Sequence, residues 1–366
     1  MAGSSFGTIF KVTTWGESHG KALGAVIDGC PSGLSLEEKD IQKYLDRRKP
    51  GNSSISTPRK EADQVQILSG VFDGKTTGTP ISLLVPNTSQ RSSDYSEIAS
   101  YYRPGHADYT FDAKYGFRDY TGGGRSSGRE TIGRVASGAV AAKVLNELGI
   151  QVLAYTRSIG PISISPERFQ EELILSNETC MPDPVAHQLA MDYLQSCMEA
   201  KDSSGGVVEC IVKGVPAGLG DPVFEKLDAC LAKAIMSIGA VKAVEIGDGV
   251  HAALARGSEN NDAFYIKDGQ IAKKTNHSGG ILGGISDGSE IILRAHIKPT
   301  PSIFSPQETV TRDGKESTVS IKGRHDPVIV PRAVVVVEAM TALTILDALL
   351  LNRSTRMDVF MAVYKK

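Results

Sequence analysis

The chain has 366 residues, with 40 basic and 42 acidic side chains and a net charge of −2. At 40% hydrophobic and 22% charged it has the composition of a globular protein that can bury its own core. The even charge balance argues against a protein that grips nucleic acid or an anionic membrane, so any anionic ligand must be held by local clusters of arginine.

The five cysteines, Cys30, Cys180, Cys197, Cys210 and Cys230, are odd in number and form no C-x-x-C. Buried thiols in a reducing compartment are expected rather than disulfides or zinc. The N-terminus, MAGSSFGTIFKVTTWGESHG, has no basic stretch followed by an apolar one. A cytoplasmic protein without a signal peptide is therefore expected. The 38 glycines, about 10% of the chain against a usual ~7%, suggest many tight turns and close backbone approaches.

In chain order, short strands are expected at 7–14 and 24–28, with the sequence GESHG at 16–20 between them. Ser35 and Glu38 have capping-box spacing ahead of the apolar face Ile41, Tyr44 and Leu45. That helix runs into a loop at 46–58 that carries DRRKPG, and strands follow at 65–68 and 81–85. A long loop at 86–130 holds RPGHAD and RDYTGGGRSSGRETIGR. Residues 131–148 repeat Ile132, Val135, Ala136, Ala139, Val140 and Val144 at helical spacing before Gly149. Asp183 before Pro184 and Asp221 before Pro222 each read as an N-cap with proline in the first turn. The second is expected to open a helix burying Leu227, Leu231, Ala234, Ile235 and Ile238, ended by Gly239.

Residues 206–213 alternate as a strand, with Val208, Cys210 and Val212 on one face and Glu209 and Lys213 on the other. Residues 290–298 alternate likewise, Ile291, Leu293, Ala295 and Ile297 sharing a face opposite Arg294, His296 and Lys298. Further strands are expected at 241–246 and 317–322, a loop at 299–316 and a last helix at 332–351. The apolar run 333–351 is broken by Glu338 and Asp347, so a buried helix explains it better than a membrane span. The irregular order of strands and helices predicts an α+β fold of mostly antiparallel sheet, in one domain.

Six segments carry chemistry. GESHG and RPGHAD each set a histidine, His19 and His106, in a glycine turn, and histidine is the side chain best suited to proton transfer near neutral pH. Read alone, each is also compatible with a half-exposed turn. The segment GGGRSSGRETIGR combines glycines, hydroxyls and the guanidinium groups of Arg125, Arg129 and Arg134 at a helix start, a ready site for phosphate or carboxylate. It has neither Walker nor Rossmann spacing. Three arginines so close repel one another unless anions sit between them. DRRKPG offers Arg47, Arg48 and Lys49 at a helix C-terminus, where cations are favoured in any case. GGILGGISDG leads into the strand ending in KPTPS and suits close approach of a flat phosphate-bearing ligand. KGRHDP sets Asp326 beside Arg324 and His325, a carboxylate that can act as a base. His187, His251, His277 and His296 have no such setting, and no spacing points to a metal.

Together GESHG, DRRKPG, RPGHADYT, GGGRSSGRET, SIGAVKAVEIGDG, NHSGGILGGISDG, KPTPS and GRHDP, in this order from about residue 7 to about residue 350, resemble the chorismate synthases. The resemblance implies a single-domain β-α-β sandwich with mostly antiparallel sheets, assembled as a homotetramer that binds neither nucleic acid nor membrane. It implies a lyase of the shikimate pathway to the aromatic amino acids. This lyase uses reduced FMN for the trans-1,4-elimination of phosphate from 5-enolpyruvylshikimate 3-phosphate, giving chorismate. By motif match, His19 protonates the leaving phosphate, His106 protonates or polarises the reduced flavin, and Asp326 acts with flavin N5 on the C6 proton.

The same match assigns FMN contacts to Arg125, Ser126, Ser127, Gly239, Ala240, Gly283, Lys298, Pro299, Thr300, Pro301, Ser302 and Arg324. Substrate or NADP contacts fall to Arg48, Ser54, Arg103, Arg129 and Arg134. Many bacterial members carry arginine where this chain has Ser54, and alanine where it has Gly128. Without a Rossmann segment, flavin reduction with NADPH-derived electrons is expected from an external reductase. Two other readings of the residues remain: a phosphosugar or phosphoenolpyruvate-type transferase without flavin, and a non-catalytic flavin or phosphate binder.

Overall fold

A computed structural model describes residues 3–49, 51, 61–87, 97–321 and 326–365. Its helices are α1 (Glu38–Arg48), α2 (Asp108–Tyr115), α3 (Thr131–Glu147), α4 (Pro184–Glu199), α5 (Leu227–Met236), the single turn α6 (Gly257–Asn260), α7 (Val330–Asn352) and α8 (Met357–Tyr364). Helices α3 and α7 carry apolar side chains all round, which only a helix covered on every side can afford. The two sheets supply that cover. One sheet has the spatial order Ser5–Phe6, Lys11–Gly16, Ala22–Asp28, Ile81–Pro86, Gln66–Ile67. The other runs Val241–Ile246, Ile291–Ile297, Gly206–Lys213, Gln151–Ile159, Ile162–Ser163. Every strand pair within both is antiparallel.

The result is the expected β-α-β sandwich: α3 lies on the first sheet, α7 on the second, and the two helices pack on each other with α1 and α5 beside them. Small residues set the spacing. A Cβ on Gly133 would stand 2.9 Å from the Gly24 carbonyl oxygen, and one on Gly138 2.3 Å from the Ala339 Cβ. The two charges inside α7 each have a fixed partner. Glu338 takes a bidentate pair from Arg47 at 2.9 and 2.7 Å. Asp347 accepts the backbone N–H groups of Thr8, Ile9 and Phe10 at 2.8, 2.8 and 2.9 Å. Ionic groups in the core need such partners, and these two tie α7 to α1 and to the bend between the first two strands.

Several expectations shift. Helix α1 is capped two residues later than predicted: the Asp40 carboxylate accepts the Glu37 N–H at 3.0 Å. The helix expected after Pro222 begins only at Leu227, after a 3₁₀ turn at Val223–Glu225. Val223 has φ 70°, and the Leu227 N–H is drawn to the Gly284 carbonyl at 2.8 Å, so the chain cannot wind continuously there. The predicted loop 86–130 contains α2, the loop 299–316 contains the strand Gln307–Val310, and the strand Gln151–Ile159 was not predicted. Glu209 lies on the face opposite Val208 and Cys210, as its alternation requires, yet is only 4% exposed. Tyr155, Arg157 and Arg294 close over it, the last at 2.5 Å. All five cysteines are free, Cys30 and Cys210 fully buried, and burial pushes the Cys30 thiol up to about 11.

The Asp183 prediction holds in full. Its carboxylate accepts the N–H groups of Val185 and Ala186 at 2.9 and 3.2 Å, and Arg168 at 2.8 Å. Burial works to raise its pKa, but these bonds outweigh it and hold the group at about 2. A carboxylate depressed in the folded state stabilises it above the unfolded pKa, near 3.9, and loses that effect as pH falls towards the folded value. Asp183→Ala should therefore destabilise the fold by about 2 kcal/mol at neutral pH. The difference from the parent should shrink between about pH 4 and about pH 2, as read by denaturant melts across that window.

Candidate active site

The glycine turn of GESHG lies against the glycine turn after Tyr120. The Ser18 hydroxyl bonds the His19 Nδ1 at 3.1 Å and the Gly122 carbonyl at 3.2 Å. Gly122 has φ 83°, and a Cβ there would sit 2.1 Å from the His19 Cε1. The imidazole thus rests on bare backbone. Next along, Gly123 faces the Arg103 guanidinium, the nearest Nη being 4.0 Å from where its Cβ would stand. Arg103 opens the turn that carries His106, its carbonyl accepting the His106 N–H at 3.2 Å. His106 Nε2 lies 2.8 Å from the Ser302 hydroxyl, while Lys298 Nζ donates to the Gly105 carbonyl at 2.7 Å. RPGHAD and KPTPS are therefore joined.

From KPTPS the contacts continue. The Thr300 carbonyl accepts the Ser203 hydroxyl at 2.6 Å, and the Ser204 N–H donates to the Pro327 carbonyl at 2.8 Å. Asp326, 8% exposed, bonds Arg332 Nη1 at 2.5 Å, and Arg332 Nε donates to the Arg48 carbonyl at 3.2 Å. The buried Arg48 guanidinium pairs with Asp63, which also faces Arg129 Nη2 at 3.2 Å. Arg129 pairs with Glu61 and donates to Asn87 Oδ1 at 2.7 Å. The Asn87 amide in turn donates to the Gly20 carbonyl at 2.7 Å, one residue from His19. Hydrogen bonds, ion pairs and chain connectivity thus link His19, Asp326 and His106 in one run, and its two ends face each other where Gly123 lies near the Arg103 guanidinium.

The arginines of GGGRSSGRETIGR do have anions between them, and those anions are the protein's own carboxylates. Glu130 takes Arg134 Nε at 2.7 Å and stands 3.6 Å from Arg125, whose Nη2 also donates to the Thr14 hydroxyl at 2.7 Å. Arg134 reaches on to the Ser237 hydroxyl at 2.6 Å. Arg103 grips Asp108 through Nε and Nη2, both at 2.8 Å. Burial raises the Asp108 pKa, but those bonds and the guanidinium charge bring it below the ordinary value. Burial likewise lowers the Arg48 pKa, Asp63 opposing and Arg332 adding to the shift, though arginine stays charged throughout. A guanidinium has five N–H donors, so one that holds a carboxylate keeps donors for a second anion.

Lys298 differs. Among the described residues it has no carboxylate partner, and burial together with the charge of Lys242 lowers its pKa. Its neighbours suit a cofactor with a phosphate. Thr300 Oγ1 is a buried hydroxyl with no partner among the described residues, an acceptor or donor awaiting a ligand. Ala240, whose carbonyl accepts the Lys298 N–H at 3.0 Å, holds φ 73°, a conformation that a non-glycine residue adopts at a cost. These residues, with exposed Gly239 and Pro299 and half-buried Pro301, fit a phosphate-bearing group. Ser126 and Ser127 lie in the loop, their hydroxyls bonding the Gly123 carbonyl at 2.7 Å and the Arg129 N–H at 3.3 Å.

Two predicted positions, Ser54 and Arg324, lie outside the described residues. Gly283 is not brought to this run. Its hairpin abuts the start of α5, whereas Gly239 and Ala240 follow the end of α5, and Lys298 lies past the far end of a seven-residue strand, about 20 Å long. Asp63, Asn87, Ser203, Ser204 and Arg332 belong to this run, with Glu61 beside Arg129, but stand in no motif, since each is an ordinary polar residue until the fold supplies its partner. His277 and His296 also have carboxylate neighbours, Asp248 at 2.7 Å and Glu245 at 3.3 Å. Among the described residues no His, Cys, Asp and Glu side chains gather as a metal site.

This fold and this meeting of imidazoles, carboxylate and cations suit an enzyme with a small-molecule substrate. The family model for chorismate synthase matches residues 10–350. The chorismate synthase of Agathobacter rectalis is 66% identical over 366 residues, the full length of both chains. That of Methanocella arvoryzae is 55% identical, over 96% of this chain and 95% of its own. A crystal structure of chorismate synthase superposes with a TM-score of 0.77 at 33% identity, covering 95% of this chain and 94% of that one. The chain belongs to the chorismate synthase family, and with it to the carbon–oxygen lyases that act on phosphates. Enzymes of this family need a flavin.

Gly122→Ala should push the His19 ring aside and strain a left-handed turn, lowering kcat/KM at least about tenfold. Gly128→Ala meets open space and an ordinary backbone and should leave both activity and Tm near the parent. Steady-state kinetics and melting curves on the two variants check this pair.

Proposed function

We propose that the run linking His19, His106 and Asp326 is the catalytic site at which this chain eliminates phosphate from 5-enolpyruvylshikimate 3-phosphate to give chorismate. The observation that carries the reading is that run of hydrogen bonds and ion pairs, which brings segments distant in the sequence to the three groups. FMN would be held by Lys298, Pro299, Thr300, Pro301, Ser302, Gly239, Ala240, Arg125, Ser126 and Ser127, with Gly283 and Arg324 as further family-derived contacts. When bound and reduced, it lends electron density to the allylic system of the substrate in a reaction that is redox-neutral overall.

The chain's own residues do the rest. His19, seated on Gly122, holds a proton for the leaving phosphate, because charge on that group must be neutralised as its bond to carbon breaks. His106, oriented by Ser302, holds a proton towards the flavin side. Asp326 takes the C6 proton. Arg48, Arg103, Arg129 and Arg134, each already fixed by a carboxylate, offer their remaining donors to the substrate's two carboxylates and phosphate. Ser54 is the family's NADP or substrate position.

The chain is read as one domain, in keeping with its single continuous core. It is read as a cytoplasmic homotetramer that binds neither nucleic acid nor membrane. Its most apolar long helix, Val330–Asn352, is a buried core element. Electrons from NADPH reach the flavin through an external reductase.

Anaerobic titration with reduced FMN and substrate tests the reading. Phosphate release with a flavin spectral change supports it. Phosphate transfer without flavin would make the protein a transferase, and binding without release a non-catalytic binder. His106→Ala should lower kcat about a hundredfold while FMN binding and Tm persist, the usual scale for a lost general acid. Near-parent turnover in that variant would remove His106 from the mechanism.

A further inference from the structure

We propose that Arg332, which none of the motifs includes, is the positioning residue for Asp326. The inference rests on the reading of Asp326 as the proton acceptor. Arg332 sits in the first turn of α7, just after Val330 and Pro331. Val330 is fully buried, and Val334 and Val335 behind it are 2% and 1% exposed, so the helix start is held by the core. From this base the guanidinium forks. Nη1 donates to Asp326 Oδ2 at 2.5 Å, and Nε donates to the carbonyl of Arg48, the last residue of α1, at 3.2 Å. That carbonyl is one of the acceptors a helix C-terminus leaves unsatisfied, and a cation is favoured beside it.

The two arms do different things. The Nε arm fixes the guanidinium plane against α1. The Nη1 arm then fixes the direction of the Asp326 carboxylate. The backbone at Asp326 is restrained separately: Pro327 follows it, and the Pro327 carbonyl is bonded to the Ser204 N–H at 2.8 Å. Backbone restraint alone does not set the direction of the side chain, and the Nη1 arm acts on that direction through its bond to Oδ2. A base must present its oxygen within hydrogen-bond reach of the proton it takes, so its orientation enters the rate directly. Lysine at this position could neutralise the carboxylate but has no planar fork to serve both acceptors. The stem of Arg332 borders a cavity of about 400 Å³ with Lys49, Pro331 and Val335, so shortening it creates no clash.

The experiment compares Arg332→Lys, Arg332→Ala, Asp326→Asn and the double variant Arg332→Ala/Asp326→Asn. It uses the full chain with reduced FMN under anaerobic conditions. Arg332→Ala should lower kcat at least about tenfold, with KM and FMN affinity changed less than about threefold. Arg332→Lys should be similarly slow at an unchanged Tm, and low millimolar guanidinium should restore part of the Arg332→Ala rate. Because the arginine acts through the carboxylate, the double variant should be no slower than Asp326→Asn. Additive losses, a parent-like kcat in Arg332→Ala or Arg332→Lys, or a loss confined to KM overturns the inference. If Arg332→Ala does not fold, the kcat and Tm of Arg332→Lys decide. Parent-like turnover in Asp326→Asn overturns instead the underlying reading of that carboxylate, a result distinguishable from the others.

Discussion

Cations and carboxylates alternate through the heart of this molecule. Arg332 holds Asp326, Arg48 holds Asp63, and Arg129 stands between Asp63 and Glu61. Arg48 and Asp63 are 1% and 3% exposed, where an unpaired charge would cost several kcal/mol. None of these groups can therefore be placed alone. Each fixes the next, and so the last turn of α1, the segment at residues 61–63, the entry to α3 and the first turn of α7 must all arrive at the same place.

The sandwich makes that arrival possible. Helices α3 and α7 approach closely because Gly138 faces Ala339, and α3 presses on the first sheet because Gly133 faces Gly24. Arg47 on Glu338 sets α1 against α7. With the helical layer held in this way, loops of both sheets reach a common edge. GESHG follows a strand of the first sheet, and KPTPS follows a strand of the second. Two histidines on unrelated loops become neighbours of one network without a long chain of special contacts for either.

Pairing Arg48, Arg103, Arg129, Arg134 and Arg332 with internal carboxylates has a consequence for binding. The site is preorganised: guanidinium planes are fixed before any ligand arrives, so ordering them is not charged against binding. The net field is softened by the same carboxylates, and a polyanion must recruit the donors left over. Lys298, without a carboxylate partner among the described residues, keeps its charge unshared and stands where the phosphate of a cofactor is expected. The Thr300 hydroxyl, without a partner among the described residues, and the left-handed Ala240 lie beside it, polar capacity and strain that the fold tolerates at this edge.

By itself the sequence determined the elements whose signal is local. These include the alternating strands at 206–213 and 290–298, the apolar helices α3 and α7 and the Asp183 cap. They also include the glycine turns bearing His19 and His106, because periodicity, capping and turn chemistry act over a few residues. Only the tertiary structure decided what lies between distant segments. It buried Glu209 under Arg157 and Arg294, delayed α5 to Leu227 and set Gly283 apart from Lys298. It also made partners of Asp63, Asn87 and Arg332, which look ordinary in the linear chain. Burial and ion pairing depend on groups tens or hundreds of residues away, and no local pattern encodes which carboxylate an arginine will meet.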